Sequence, residues 1–346
     1  MKRIKSTFLF MCLLLSSIGL YSQDVHYSFP QVNGLVLNPA LAGANFKQEA
    51  SMNYRIQWSS IGDPYRTASA GYHARLSKNS RRSDNFLAAG LQFVSDKAGA
   101  PSVSTTNISF VVASHVRVGM ESTLGVGVNL GFGQRSLERG VGQWSSQYNG
   151  NFYDPSIGSG ETFENGSFRY FDAGIGLLYT YGRRRNTIAN NSDLLINAGV
   201  SAFHLNRPNF SFVELENDRL PIRYSAFANS EIALGAVNGA VMPGFYFHQQ
   251  AGFRELLLGA YYKIKLVDET RYTGFNKPLS LSAGLFGRVG DAAIAKLMVD
   301  WDQYSFGYSY DFNTSGLNRY KNGIGSHEVF LRFTAAELRP GRSSRY

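Results

Sequence analysis

The feature that most constrains this chain is an alternation of apolar with small or polar residues, repeated from about residue 47 to residue 334. Leu124, Val126, Val128, Leu130 and Phe132 are interleaved with Thr123, Gly125, Gly127, Asn129, Gly131 and Gly133. Near the C-terminus Tyr304, Phe306, Tyr308, Tyr310 and Phe312 stand against Ser305, Gly307, Ser309 and Asp311. Ala50, Met52, Tyr54, Ile56 and Trp58 alternate in the same way with Ser51, Asn53, Arg55 and Gln57. Successive side chains of a strand point to opposite faces, so a period of two collects the apolar residues on one face of a sheet.

The pattern predicts fourteen strands, near 48–59, 66–76, 86–95, 104–116, 122–132, 168–181 and 193–204, then 222–234, 241–249, 254–267, 278–288, 291–300, 303–313 and 325–334. Most have the ~9–11 residues that a tilted strand needs to cross a bilayer. An even count is what a single-chain bacterial outer-membrane barrel requires.

Alternation suits a soluble sandwich equally well, and composition separates the two. Of the 346 residues only 17% are charged, against about 25% in an ordinary soluble chain. A sandwich exposes a face rich in Lys and Glu. Here the non-apolar face is mostly Gly, Ser, Thr and Asn with scattered Arg and His, which suits a narrow, crowded or water-lined lumen. Tyr54, Trp58, Tyr179, Tyr181, Tyr310 and Phe312 fall near strand ends, where barrels carry aromatic girdles. The expected fold is therefore an all-β transmembrane antiparallel up-and-down barrel of about 14 strands. Closure removes the unpaired strand edges that lipid does not tolerate. The 25 Phe and 20 Tyr exclude a disordered chain, and a single Cys excludes a disulfide scaffold. No apolar run after the leader approaches the ~18 residues of a transmembrane helix.

Lys2, Arg3 and Lys5 precede an apolar stretch from Phe8 to Leu15 and then Ser16, Ser17 and Gly19. This is the pattern of a secretory signal peptide over 1–22, cleaved before Gln23. Its removal takes the formal charge from +9 to +6 and removes Cys12, the single cysteine. The remaining excess is too dilute to suggest a nucleic-acid partner. The expected organisation is a strap or plug over 23–46, a barrel over 47–334 and a tail over 335–346. With a periplasmic N-terminus, the longest connection, about 133–167, faces outside, where it folds over the mouth, binds a partner or stays mobile. Arg183, Arg184 and Arg185 then fall in an inner turn.

Signals for catalysis are weak. His26, His73, His115, His204, His248 and His327 are scattered, with no zinc-ligand spacing, and each reads as a lumen or loop residue. There is no G-x-S-x-G elbow and no P-loop. A Ser and a His assembled across strands is the one enzymatic arrangement that sequence order leaves open. The expectation is a non-enzyme with no metal and no cofactor.

Residues 23–46 read QDVHYSFPQVNGLVLNPALAGANF, too short for a domain and too apolar for a simple tail. Pro39 opens a short helix through Ala40, Leu41 and Ala42, ended by Gly43. Gln23, Asp24 and His26, then Asn38, Pro39, Ala40, Ala42 and Gly43, then Tyr54, Arg55, Gln57 and Trp58 resemble the N-terminal signature of the PorP/SprF family. Gly307 to Asp311, then Gly325, His327, Glu328, Leu331 and Phe333, fit at the other end. The tail from Thr334 to Tyr346 departs from the family pattern, which stops soon after the last strand.

The resemblance implies a non-enzymatic outer-membrane component of the type IX secretion system and gliding machinery. Its partners would be outer-membrane lipid and the periplasmic and outer-membrane parts of the machine, or a large surface adhesin or C-terminal sorting domain. It would act as a core component or as a partner dedicated to one cargo. The residues it marks for strap or docking roles are Asn38, Pro39, Ala42, Gly43, Arg55, Gln57, Trp58, His327 and Glu328. An unpaired lumen-facing cation is costly, which makes Arg55 the candidate for pinning the strap. A passive porin or small-molecule transporter is the alternative, because the barrel argument applies to it equally.

Overall fold

The alternating segments form antiparallel strands that run in chain order around a closed ring. The structure, a computed structural model, describes residues 24–337 except 60–62, 77–84, 100–102, 138–143, 159, 161–165, 188–189, 213–217, 236–237, 268–276 and 315–323. The expected signal peptide and the tail beyond Glu337 lie outside the described residues. The first seven strands are β1 (Phe46–Gln57), β2 (Tyr65–Arg75), β3 (Phe86–Ala98), β4 (Val103–Arg117), β5 (Ser122–Leu137), β6 (Ser167–Thr187) and β7 (Asn190–Phe203). The second seven are β8 (Arg223–Leu234), β9 (Gly239–Gln250), β10 (Phe253–Val267), β11 (Leu279–Arg288), β12 (Ala292–Trp301), β13 (Tyr304–Asn313) and β14 (Ile324–Glu337). Closure is made by β1, where Ala50 faces Tyr72 on β2 and Phe333 on β14.

The apolar phase of the alternation points outward. Met52, Tyr54, Leu124, Val126, Val128, Leu130, Phe132, Phe306 and Leu331 are all exposed on the outer face. Ser51, Asn53, Arg55, Asn129, Ser309, Asp311, Ser326 and Glu328 are buried inside. This inversion of the usual soluble pattern is what a hydrocarbon solvent imposes. Among the described residues no helix is long and apolar enough to cross a membrane.

Several strands outrun their expected ends. β5 continues to Leu137, β6 to Thr187 and β14 to Glu337. In β5 and β6 the ladder continues through polar segments, where alternation no longer shows as apolar against polar. Arg183, Arg184 and Arg185 accordingly pair with Leu194, Asp193 and Ser192 in the β6–β7 ladder, not in a turn. One histidine also departs from expectation. His327 lies exposed on the outer face, with Nδ1 2.8 Å from the Tyr308 hydroxyl and its ring 4.8 Å from that of Tyr310.

The lumen is not uniformly polar. Leu178, Phe227, Tyr246, Leu257, Tyr261, Phe286, Ile294, Met298 and Phe330 form a buried apolar cluster inside the ring. The segment before β1 completes this cluster with Phe29, Val32, Leu37, Ala40 and Ala44. It contains one helical turn, α1 (Gly34–Leu37), and a 3₁₀ turn over Pro39–Leu41.

Candidate functional site

The strap, residues 24–45, threads the lumen, and its backbone amides and carbonyls are met by side chains of the wall. Its first anchor gathers charges from β1, β11, β13 and β14. The Ser28 and Phe29 amides donate to the two oxygens of Glu328, at 2.6 and 2.9 Å. The Asn53 side chain donates to the same carboxylate at 2.8 Å. Arg55 donates to the His26 carbonyl at 3.0 Å and to the Ser28 hydroxyl at 3.3 Å. Its guanidinium lies 3.0 Å from Asp311 and 3.5 Å from Glu328. Arg288 reaches Asp311 at 3.1 Å, Asp291 at 3.0 Å and Glu255 at 3.7 Å. The Ser28 hydroxyl closes the group by donating to Asp311 at 2.7 Å. Two cations against several carboxylates in a dry interior persist only when each is paired.

A second anchor holds the start of the strap. Asp24 lies 2.7 Å from His204 Nε2 and 3.1 Å from Arg223, and its amide donates to Gln250 at 2.8 Å. The other ring nitrogen of His204 is 2.8 Å from Asp172. His204 follows the end of β7 in the connection to β8. Burial alone would lower its pKa, but the carboxylates of Asp24 and Asp172 reverse that and raise it to about 9. Burial likewise opposes ionisation of Asp24, yet His204 and Arg223 hold it well below the usual carboxylate range. Burial, with Arg55 and Arg288 nearby, pushes the His26 imidazole well below its ordinary value, which keeps it neutral.

The third anchor is steric. Asn38 caps the 3₁₀ turn by accepting from the Ala40 amide at 2.8 Å. It also donates to the Leu177 and Val200 carbonyls of β6 and β7, both at 3.0 Å. The turn lies so close to the wall that a Cβ on Gly127 would overlap the Pro39–Ala40 backbone. One on Gly176 would overlap the Asn38 side chain, and one on Gly199 would crowd it. Gly43 follows in the left-handed region at φ 67°, where glycine costs least. Its amide donates to His73 at 3.1 Å and its carbonyl accepts from Arg75 at 2.7 Å. His115 Nε2 lies 2.9 Å from the Ala42 carbonyl.

The strap lies between two cavities. One of about 400 Å³ is lined by Gln57, Trp58, Asn107, Asn129, Tyr170 and His204, toward the ends of β1 and β7. The other, of about 550 Å³, is lined by Leu41, Phe46, Lys263, Asp300 and Arg332, near the start of β1. No described residue of 144–160 lines the first cavity; Phe210, from the β7–β8 connection, does. Phe210 packs edge-on against Tyr170 at 5.3 Å and beneath the Arg135 guanidinium at 4.4 Å.

A profile described as "Type IX secretion system membrane protein PorP/SprF" matches residues 19–333, nearly the whole chain. The chain belongs to the PorP/SprF family. No curated protein matches it. Similar solved structures are barrels at low identity. The TodX monoaromatic hydrocarbon channel, as a deltaS2S3 mutant, is 11% identical with a TM-score of 0.45, covering 89% of this chain and 94% of that one. The CymD monoaromatic hydrocarbon channel is 11% identical with a TM-score of 0.42, covering 90% and 94%. BamA from Haemophilus ducreyi, lacking POTRA domains 1-3, is 8% identical with a TM-score of 0.41, covering 83% and 70%. At these scores none of them bears on function.

Membership makes this PorP/SprF chain an outer-membrane-type barrel of the type IX secretion system, and family and fold together point to a structural or secretion component rather than an enzyme. Of the residues marked from its sequence, Asn38, Pro39, Ala42, Gly43, Arg55 and Glu328 meet at the strap. Gln57 and Trp58 line the 400 Å³ cavity, with Trp58 4.9 Å edge-on from Tyr65. His327 stands apart on the outer face. Sequence reasoning missed Glu255, Arg288, Asp172, Arg223 and the seat of Gly127, Gly176 and Gly199. The one available signal was a charge or a glycine at an inward phase of a strand, which identifies no partner. Among the described residues no group of His, Cys, Asp or Glu has the geometry to hold a metal ion.

Proposed function

We propose that this PorP/SprF barrel is a non-enzymatic docking component of the type IX secretion and gliding machinery. In this reading it is exported by its signal peptide to the outer membrane. There it supports export or surface attachment of cargo by binding other secretion components, a large adhesin or a C-terminal sorting domain. The supporting observation is the strap, held by the Arg55–Glu328–Asp311 group on one side and the glycine seat on the other. A lumen occupied in that way serves as a rigid post better than as a pore. Arg55 is the pin, and docking falls to the two mouths.

Deleting the gene in its host and comparing surface and culture-medium proteomes with the parent tests this. Loss of many proteins bearing C-terminal sorting domains makes the protein a core component. Loss of one large adhesin makes it a dedicated partner. An unchanged set contradicts the proposal and leaves the passive porin in first place.

A further inference from the structure

The 400 Å³ cavity falls within the size range of small-molecule sites. Its charged lining balances in number, Asp24, Asp96 and Asp172 against Arg135, His204 and Arg223. Asp24 and Asp172 flank His204, Asp96 accepts from Thr67 at 2.6 Å, and Arg135 stacks on Phe210. A charged ligand would upset that balance. The remaining polar lining is uncharged and includes the amides of Gln57, Gln92, Asn107 and Asn129 beside the hydroxyls of Thr105 and Ser109. Asn129 is 5% exposed, and its side-chain oxygen is buried with no hydrogen-bond partner. Such a group in a folded interior calls for a donor, an ordered water or the hydroxyl of a bound molecule. Two edge-on aromatic pairs, Trp58–Tyr65 and Tyr170–Phe210, border the same space.

We propose that this chamber binds a neutral saccharide. A pyranose ring presents flat C–H faces and a rim of hydroxyls, each able to donate and to accept. Side-chain amides offer the matching pair of acceptor and donors in one plane. Trp58 and Tyr65 supply a face for the ring, Asn129 accepts a hydroxyl, and Gln57 and Asn107 bracket its neighbours. The site stands independently of the secretion reading, so the two fail separately.

The test uses the mature protein in lauryldimethylamine oxide, because glycosidic detergents would compete. Calorimetric titration with N-acetylglucosamine, mannose and lactose is compared with the anionic control N-acetylneuraminate. At least one neutral sugar is expected to bind saturably in the millimolar range or tighter, with Asn129→Leu and Trp58→Ala each weakening it about tenfold. Heat-modifiable gel mobility shows that each variant is folded, and Trp58→Phe, which keeps a ring face, should retain most of the binding. Titration with the polysaccharide released from the host's lipopolysaccharide assigns the source. Tighter binding than the free sugars indicates a surface glycan, and equal or weaker binding indicates a free saccharide. Three results overturn the proposal: no saturation by any neutral sugar up to about 50 mM, binding that all the variants leave unchanged, or binding of N-acetylneuraminate alone.

Discussion

The strap is held at its two ends by different physics. From Asp24 to Phe29 it is tied by charge, with Glu328, Asp311, Arg55, Arg223 and His204 each satisfying a backbone or side-chain group of the strap. From Asn38 to Ala44 it is seated by shape, on strand backbone laid bare at Gly127, Gly176 and Gly199. A charged anchor is directional but depends on every partner being present, since one lost partner strands the others. A glycine seat needs no partner and fails only when volume is added. The difference predicts that the first end responds to charge and pH, and the second to added volume and to loss of the Asn38 bonds.

The largest effect should come from Glu328→Ala. It leaves the Ser28 and Phe29 amides without their acceptor and Arg55 short of a carboxylate, at a cost of about 3–5 kcal/mol. Urea titration followed by heat-modifiable mobility measures it. Arg55→Ala should act in the same direction, and unchanged stability and secretion in that variant would remove Arg55 as the pin. Gly176→Val should cost about 1–3 kcal/mol by overpacking and free the Asn38 turn, seen as new protease cleavage near Asn38. If cleavage stays at the wild-type level, the seat is not steric.

Asn38→Ala removes the cap of the 3₁₀ turn and two bonds to the wall, worth about 1–2 kcal/mol in the same titration. pH then separates the ends. The folded pKa of His204, about 9, exceeds its ordinary 6.5, so the protonated ring stabilises the Asp24 end fully below 6.5 and is lost as pH rises through 9. Between about pH 7 and about pH 10, after correction for intrinsic rates, amide exchange at Val25 should accelerate while that at Ala42 stays constant. Equal acceleration at both would merge the two anchors into one. The smallest effect is assigned to His327→Ala on the outer face, within about 0.5 kcal/mol in detergent.

The barrel was readable because lipid forces one whole face of every strand to be apolar, and alternation survives without any knowledge of pairing. Its count of fourteen strands matches the ring, whereas the ends of β5 and β6 did not show, since hydrogen bonding outlasts the apolar pattern there. The turn at Pro39 and the stop at Gly43 were legible as local chemistry. The helical turn at Gly34–Leu37 was not, because it has no side-chain cap and draws its stability from burial of Leu35 and Leu37. The apolar patch inside the lumen was hidden for a related reason. Leu257 and Tyr261 sit on the phase shared with Glu255 and Lys263, and their apolar partners, Phe286 on another strand and Phe29 and Leu37 on the strap, are distant in sequence. Contacts such as Asp24 with His204 join positions 180 residues apart, which no local pattern encodes.

The most direct test of the whole account is single-channel conductance in planar bilayers, comparing the mature barrel with a variant lacking residues 24–45. The strap as a resident of the lumen predicts little steady conductance from the intact protein and a large one after its removal. A large steady conductance from the intact protein, equal to that of the variant, would contradict it and make the barrel a pore.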